Sequence, residues 1–330
     1  MKPTKILLIL TGGTICSFDR GDGERASDTE RAEALIVGTY QKNHKNCVSF
    51  DTVSPLNVLS ENMTVSHWNT LIQALKSYDF SSYDGIILLH GTDTLAYTAS
   101  LLALLLHGIQ IPVLLVSAQL PLTDEHTNGN ENFRAAIELI ERGIAPSVYA
   151  VYRNSDGVTY LHLGAHLRQC DNGSNDFFSA DMTPISNVAF SPNAPSEPLL
   201  YSCKTLPSSV LRIEPYVGLD YDHFSLDRVL AVLHGTYHSN TVAVSPSEST
   251  SILSLLARCK EREIPVFLSP CEEDSYAYET TGDALRGGAV ALSGMTPEMT
   301  YVKLLVGLSL EYSEKALENF LKTEHCQEFL

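Results

Sequence analysis

Two short motifs place threonine hydroxyls directly after runs of aliphatic residues. Thr-Gly-Gly-Thr at 11–14 follows the apolar run 6–10, and His-Gly-Thr-Asp-Thr at 90–94 follows the apolar run 85–89. A threonine hydroxyl becomes a useful nucleophile when a base and an oxyanion site assist it. The spacing therefore predicts Thr14 as the attacking residue of an acyl-transfer or hydrolytic site.

The same two motifs indicate the elements that position them. A short aliphatic run bounded by glycine is typical of a parallel strand that is covered on both faces, and ligands of open α/β sheets bind outside the carboxyl ends of such strands. Gly12 and Gly13 permit a sharp turn, and we expect them to leave main-chain N–H groups free for a developing oxyanion. Cys16, two residues beyond Thr14, is the alternative nucleophile, although no base lies beside it in the sequence.

Together with the segments that follow them, these motifs resemble the bacterial-type L-asparaginase family. The resemblance continues through 95–100, through 112–122, and into a helix that begins at 127–132. The last of these segments also resembles the cytoplasmic type I branch of the family. It implies hydrolysis of the side-chain amide of L-asparagine to L-aspartate and ammonia through an acyl-enzyme. It also implies a small-molecule substrate, a homodimer or homotetramer, no cofactor and a cytoplasmic location.

Residue by residue, the resemblance implies the following roles. Thr14 matches the nucleophile, while Thr92 and Asp93 match a second threonine and its aspartate, which also contact the substrate. Ser60 and Glu61 match the pair that binds the α-carboxylate and the α-ammonium group. Charge-assisted hydrogen bonds of this kind are stronger than neutral ones. Taken alone, however, Ser60 is equally well interpreted as a helix N-cap.

Two further positions match residues that line the family's substrate site. Ala118 matches a position whose main-chain carbonyl lies near the substrate amide, and Asn240 matches an asparagine lent to the neighbouring subunit's site. The echo His-Gly-Thr at 234–236 lacks the aspartate of the first copy. We interpret it as structural, because short motif matches are weak.

The chain departs from the family pattern at a catalytic lysine. Gln169 stands at that position, and His166 stands where the family has an arginine. Arg168 is a positive charge nearby, but a guanidinium stays protonated and cannot act as a general base. His166 is able to accept a proton near neutral pH, yet a buried structural histidine is the preferred interpretation.

A second departure concerns a loop tyrosine that activates the family's nucleophile. The segment 17–27 contains no tyrosine, although it keeps the glycine- and charge-rich composition of a loop that orders over substrate. Asp19, Glu24 and Ser27 are the candidates for its activating residue, a substrate carboxylate or a water molecule is the other alternative, and the sequence does not rank them.

Alternating apolar strands and helices predict two doubly wound α/β domains. The larger N-terminal domain spans 1–190, with a parallel sheet and a β-hairpin. A Pro-, Ser- and Asn-rich linker covers 191–208, and a smaller flavodoxin-like domain covers 209–330. The predicted strands are 5–10, 48–53, 85–89, 113–117, 147–152, 210–215, 229–233, 265–269 and 289–292, and the predicted helices are 28–43, 64–78, 96–107, 130–141, 247–263, 297–309 and 313–323.

Composition narrows the class of protein. A net charge of −17 argues against nucleic-acid binding, because phosphate recognition needs clustered Lys and Arg. Seven scattered cysteines form no CxxC pair, which favours free thiols in a reducing compartment. No apolar run approaches membrane-spanning length, and the run 6–10 is too short for a signal peptide. His162 and His166 lack a third ligand, so no metal is expected.

Three functions remain open at this level. The first is hydrolysis of L-asparagine by a threonine nucleophile with a rearranged base. The second is hydrolysis of L-glutamine or another amide. The third is amino-acid binding without turnover, because the family lysine and the loop tyrosine are absent.

Overall fold

The computed structural model divides into two compact units, Met1–Cys203 and Lys204–Leu330. The structure describes residues 3–21, 24–44, 48–188, 197–245, 249–272 and 278–330. The division lies within the predicted linker 191–208, of which residues 191–196 are outside the described residues. The predicted domain bounds stay a prediction.

The first unit is built on a seven-stranded sheet of order β4-β1-β5-β6-β7-β8-β9. Its strands, with a separate β2–β3 hairpin, are β1 (Thr4–Leu10), β2 (Ser17–Asp19), β3 (Arg25–Ser27), β4 (Val48–Val53), β5 (Gly85–Leu89), β6 (Val113–Val116), β7 (Val148–Arg153), β8 (Thr159–Leu163) and β9 (Thr183–Pro184). Its helices are α1 (Thr29–Asn43), α2 (Val65–Lys76), α3 (Leu95–Leu105) and α4 (Gly129–Glu141). The five strands β4, β1, β5, β6 and β7 are parallel, and β8 and β9 continue the sheet in antiparallel pairing.

The central strands are aliphatic on both faces because both faces are buried. In β1, Ile6, Leu8 and Leu10 pack with helices α1 and α4 in one hydrophobic cluster. The alternate residues Leu7 and Ile9 are also almost fully buried. This is the pattern expected for parallel strands, which leave no face for polar residues.

The predicted α/β class is confirmed, and most element bounds differ from the prediction by one to three residues. Strands β4 and β5 have the predicted bounds. Helix α1 begins after Asp28, whose carboxylate accepts from Arg31 N, and α2 begins after Thr64, whose hydroxyl accepts from His67 N. Side-chain caps of this kind satisfy main-chain donors that the first helical turn leaves unpaired.

The second unit contains a four-stranded parallel sheet of order β10-β11-β12-β13. Its elements are β10 (Val210–Ile213), β11 (Ala231–His234), α5 (Ile252–Lys260), β12 (Val266–Leu268), α6 (Glu279–Arg286), β13 (Val290–Ala291), α7 (Pro297–Ser309) and α8 (Glu314–Lys322). Helix α6 was not predicted, and α5 is shorter than the predicted 247–263. The predicted start at 247 lies outside the described residues.

A buried ion pair closes the carboxyl-terminal part of this unit. Lys303 Nζ on α7 lies 2.6 Å from Glu328 Oε1, and both side chains are inaccessible to solvent. Lys303 also donates to the Leu321 and Thr323 carbonyl oxygens.

Within the described residues, no helix combines the length and the apolar character needed to cross a bilayer.

Candidate active site

The turns that follow β1 and β5 meet at one edge of the sheet. Leu10 and Leu89 are register partners in the two parallel strands, so the residues after them leave the sheet side by side. A Cβ atom built on Gly13, whose φ is +81°, would overlap the main chain of Gly91. Glycine at position 13 therefore permits both the left-handed backbone and the close approach. As a result, Thr14 and Thr92 lie on adjoining turns, as the two motifs predict.

A third segment reaches the same place through Ser60. A Cβ atom built on Gly91 would overlap the Ser60 side chain. Ser60 Oγ donates to Asp93 Oδ2 at 2.7 Å, and Asp93 N donates back to Ser60 Oγ at 3.2 Å. Ser60 is 2% exposed, whereas Asp93 is exposed. The alternative N-cap role of Ser60 is wrong, because helix α2 is capped by Thr64.

The acidic groups at this edge face solvent. Asp93 and Glu61 are both exposed, and Thr14 and Thr92 are partly buried. Carboxylates placed beside hydroxyls at the ends of parallel strands can hold a cationic group of a ligand while a hydroxyl acts on the rest of it.

One expected oxyanion donor has another partner. The Gly13 N–H donates to Val58 O at 2.8 Å, and the bridge between Gly12 and Val58 joins the same segments. The expectation that Gly13 leaves its N–H free is therefore wrong in this structure. The parallel pairing of the Thr11–Gly13 turn with Val58 takes that donor.

A buried hydrogen-bond chain, which sequence reasoning missed, holds the second turn. Trp68 Nε1 donates to Thr98 Oγ1 at 3.1 Å, and Thr98 Oγ1 lies 2.9 Å from His90 Nε2. His90 Nδ1 lies 2.7 Å from the Gly91 carbonyl oxygen. Since a carbonyl only accepts, Nδ1 carries the ring proton, and the Thr98 hydroxyl donates to Nε2. The signal in the sequence was a histidine placed directly after an aliphatic strand.

Burial keeps the His90 ring neutral. The side chain is fully buried, and burial lowers the pKa of His90 to about 4. A neutral imidazole with one donor and one acceptor nitrogen fits its two neighbours. The neutral His90 ring, with its proton on Nδ1, therefore supports the turn that carries Thr92 and Asp93 from its buried side.

A family model described as "Asparaginase, N-terminal" matches residues 5–196 of this chain. The chain belongs to the asparaginase family. Membership of this family supports amidohydrolase activity. The family that the resemblance predicted is therefore confirmed.

Several relatives of this asparaginase-family chain are similar over most of its length. An L-asparaginase from Thermococcus kodakarensis is 26% identical, covering 97% of this chain and 98% of its own. L-asparaginase 1 of Escherichia coli K12 is 26% identical, covering 96% and 95%. A component of the glutamyl-tRNA(Gln) amidotransferase from Methanobrevibacter smithii is also 26% identical, covering 91% of this chain and 71% of its own.

Solved structures show the same fold. The thermostable L-asparaginase from Thermococcus kodakarensis superposes with a TM-score of 0.79 at 23% identity, covering 99% of both chains. L-asparaginase I from Vibrio cholerae gives a TM-score of 0.77 at 22% identity, again covering 99% of both.

Gln169 lies at the turn that carries Thr92 and Asp93. Its Nε2 donates to the Thr92 carbonyl oxygen at 2.7 Å. The neutral amide thus contacts the main chain of the second threonine, where the resemblance implies a lysine. A carboxamide takes no part in proton transfer near neutral pH, so the structure offers no base at position 169.

The other residues considered for the missing lysine lie in different surroundings. His166 Nδ1 is 3.5 Å from Asp181 Oδ1, and its side chain is 12% exposed. Burial raises the pKa of Asp181, but the hydrogen bond and charge of His166 outweigh that effect and lower it overall. Arg168 is exposed, and its N–H donates to Phe178 O at 3.1 Å.

The β2–β3 hairpin places Ser27 against the turn that carries Thr14. A Cβ atom on Gly12 would approach Ser27 Oγ at 2.9 Å. Asp19, in contrast, accepts from Gly21 N and is exposed, as is Glu24. Of the three candidates, Ser27 is therefore the one that contacts the turn bearing Thr14.

Cys16 does not fit the alternative nucleophile role. It is fully buried, and burial raises the pKa of its thiol to about 12. The thiolate is the reactive form, so Cys16 stays protonated and packs in the core of the first unit.

Ala118 and Asn240 lie in different units. Ala118 follows β6 and is fully buried. Asn240 has φ +57° in a turn where its N–H donates to Tyr237 O, and its carbonyl accepts from Thr281 Oγ1 at 2.9 Å. No cluster of His, Cys, Asp or Glu within the described residues is suited to hold a metal ion.

Proposed function

We propose that this chain hydrolyses the side-chain amide of L-asparagine to L-aspartate and ammonia, with Thr14 as the nucleophile. The observation that carries the proposal is the meeting of the Thr14 turn, the Thr92–Asp93 turn and Ser60 at adjoining strand ends. Membership of the asparaginase family and the alignment with L-asparaginases over nearly the whole chain support it.

The amino-acid end of the substrate is held by the acidic groups and Ser60. The α-ammonium group donates to Asp93 and Glu61, whose carboxylates are exposed at this edge. Once Asp93 accepts from the ammonium group, the Ser60 hydroxyl can turn its proton to the α-carboxylate. Each of these bonds is charge-assisted.

Hydrolysis then proceeds in two steps. The Thr14 hydroxyl oxygen attacks the amide carbon, its proton passes to the leaving nitrogen, and ammonia departs from the resulting ester. Water attacks the ester, L-aspartate leaves, and the hydroxyl is restored. Thr92 and Asp93 are the proposed assisting hydroxyl and carboxylate, because Gln169 cannot take up a proton.

A second candidate is amino-acid binding without turnover. The contact of the neutral Gln169 amide with the Thr92 carbonyl favours it, since no cation or base is delivered there.

The relatives that belong to glutamyl-tRNA(Gln) amidotransferases make L-glutamine the alternative amide. We also propose a cytoplasmic homodimer or homotetramer in which Asn240 completes the partner's site.

The test measures ammonia release from L-asparagine and L-glutamine by the wild type, Thr14→Ala and Thr14→Ser, with calorimetric titration of L-aspartate. We expect release from L-asparagine that disappears in Thr14→Ala, is retained in part by Thr14→Ser, and leaves L-aspartate binding intact. Binding without release by the wild type would establish the second candidate instead.

A further inference from the structure

An open cavity of about 340 Å³ adjoins the proposed catalytic turn. Thr92, Asp93, Gln119 and Gln169 line it, together with the exposed loop 171–175, which we call the outer wall. This space is large enough for several water molecules. Ammonia, the leaving group of L-asparagine, needs the space of about one.

The outer wall of this cavity is held in place at its base. Asp176 accepts from Ser155 N at 2.7 Å and from Ser155 Oγ at 2.6 Å. Asn154 and Phe177 exchange two hydrogen bonds, of 3.0 and 3.1 Å, between the amide side chain and the main chain. The loop is therefore anchored to the β7–β8 turn.

The remaining wall is also fixed. Gln119 N donates to Asn128 Oδ1 at 3.0 Å, while Asn128 Nδ2 donates to Arg153 O at 2.8 Å. Gln169 is tied to Thr92 O, as described above. A cavity with anchored walls beside a reactive group is the usual form of a ligand subsite.

The lining has a distinct chemistry. Within the described part of the chain, its charged members are Asp93 and Asp171, and the others are mainly amides and hydroxyls such as Asn172, Ser174 and Gln169. Such walls hydrogen-bond polar groups, repel anions and offer little burial to aliphatic chains.

From this, the geometry points to a subsite for a leaving amine larger than ammonia: the chain acts on secondary amides of L-aspartate whose nitrogen carries a polar, neutral or cationic substituent. The inference rests on the proposed function. The inference places the amino-acid end at Ser60 and Asp93, the carbonyl carbon at Thr14 and the amide nitrogen toward Gln119, which lines the cavity together with Thr92. Thr14 forms the ester, the C–N bond breaks, and the amine leaves with the threonine proton.

The test compares kcat/KM for L-asparagine with kcat/KM for its derivatives bearing 2-hydroxyethyl, 2-aminoethyl, 2-carboxyethyl or n-propyl on the amide nitrogen. We expect kcat/KM for the hydroxyethyl and aminoethyl amides to be no less than a tenth of kcat/KM for L-asparagine. We expect them to exceed the carboxyethyl amide by up to about fivefold, the upper limit for an interaction with an exposed charge.

A charge reversal sharpens the test. Asp171→Lys should raise kcat/KM for the carboxyethyl amide and lower it for the aminoethyl amide, each taken as a ratio to kcat/KM of the same variant for L-asparagine. Glu30→Lys makes the same change in net charge at an exposed acid of the same unit outside the lining, and it should alter none of the ratios.

The outcomes separate the two proposals. If L-asparagine is hydrolysed in a Thr14-dependent way and every secondary amide falls below a tenth of its kcat/KM, the subsite is rejected and the proposed function stands. If Asp171→Lys and Glu30→Lys act alike, the cavity does not select substituents and the inference fails. If no amide is hydrolysed, both proposals fail.

Discussion

The Ser60 hydroxyl donates a 2.7 Å hydrogen bond to Asp93 Oδ2, and the Asp93 N–H returns one of 3.2 Å to the same hydroxyl oxygen. This reciprocal pair joins two segments that are 33 residues apart in the chain. It holds an exposed carboxylate in one orientation by means of a hydroxyl that is almost fully buried. In the proposed function, this pair orients the Asp93 carboxylate for a charged group of the substrate before that substrate binds.

Removal of this hydroxyl should weaken substrate binding. In Ser60→Ala we expect KM for L-asparagine to rise by about tenfold or more, because a hydrogen bond to a charged group contributes about 1.5–3 kcal/mol. We expect kcat to change less, since Ser60 does not contact the reacting bond in the proposal. Steady-state kinetics decide the matter. Ser66→Ala, at an exposed serine of α2, is the control, and equal KM values for the two variants would contradict the role of Ser60.

The strands that carry the candidate site could be predicted because the runs 6–10 and 86–89 within them are aliphatic at every position. Such runs in β1 and β5 have one compatible environment, a parallel sheet buried on both faces. The hydroxyls of Thr14 and Thr92 were therefore placed correctly at strand ends, and the pairing of β1 with β5 brings the two turns side by side. The small hairpin β2–β3 was missed because three-residue strands with mixed burial carry almost no periodic signal.

The hydrogen-bond chain beneath the site lay beyond sequence reasoning for a different reason. Trp68, Thr98 and His90 come from α2, α3 and the end of β5, and their contact depends on how those elements pack. Likewise, the resemblance implied a lysine where Gln169 stands, but the sequence did not indicate that the Gln169 amide bonds to Thr92 O. Contacts between distant segments follow from tertiary packing rather than from local pattern.

Breaking that chain should disturb the Thr92 turn. Thr98→Val keeps the shape of the side chain but leaves Trp68 Nε1 and His90 Nε2 without their partner. We expect a loss of about 1–3 kcal/mol of unfolding free energy, the usual cost of an unsatisfied buried polar group. The fluorescence of Trp68, the single tryptophan, should also shift, and kcat should fall.

The matched control for Thr98→Val is Thr70→Val, at an exposed threonine of α2. Urea unfolding, emission spectra and steady-state kinetics are measured for both variants. If Thr98→Val loses stability but keeps kcat and KM, the chain supports the fold without positioning Thr92 and Asp93.

The neutral state of His90 should make stability depend on pH. Burial lowers the pKa of His90 to about 4, from an ordinary value of 6.5. Below pH 6.5 the unfolded chain binds a proton that the folded chain refuses until about pH 4, so the stability from the neutral ring is lost as pH falls through this window. Each unit of pH costs up to about 1.4 kcal/mol per such group.

Urea unfolding at pH 7 and pH 5 tests this dependence. We expect His90→Gln to reduce the loss of stability between the two pH values. His162, whose pKa burial also lowers to about 4, keeps part of the loss in that variant. His126→Gln, at an exposed ring, is the control. An unchanged difference in His90→Gln would show that His90 is not the group that resists protonation.

Returning a lysine to position 169 tests what the neutral amide does. Gln169 lies against the Thr92 carbonyl, so a lysine there would place an ammonium group beside Thr92 and Asp93. We expect Gln169→Lys to raise kcat for L-asparagine by about tenfold or more, within the range that one positioned proton-transfer group supplies. Gln169→Met has similar length without charge or hydrogen bonds, and it should not raise kcat. A gain shared by both variants would point to altered packing instead.

The Lys303–Glu328 pair should be essential to the stability of the second unit because removal of either partner leaves a charge buried alone. Glu328 also accepts from His325 N and Cys326 N. We expect Glu328→Gln to lower the unfolding free energy by about 3–5 kcal/mol. Glu318→Gln, which affects ion pairs on α8, should cost about 1 kcal/mol or less.

Two further measurements separate charge from packing at this pair. Lys303→Met combined with Glu328→Gln removes both charges, so we expect the double variant to be more stable than Glu328→Gln alone. Although burial by itself raises the pKa of Glu328, Lys303 and the main-chain donors lower it to about 2. The stability from Glu328 is therefore present above about pH 4.5, the ordinary value, and is lost as pH falls toward 2. If circular dichroism in urea shows the double variant to be less stable than either single variant, the pair stabilises the unit through shape rather than through charge.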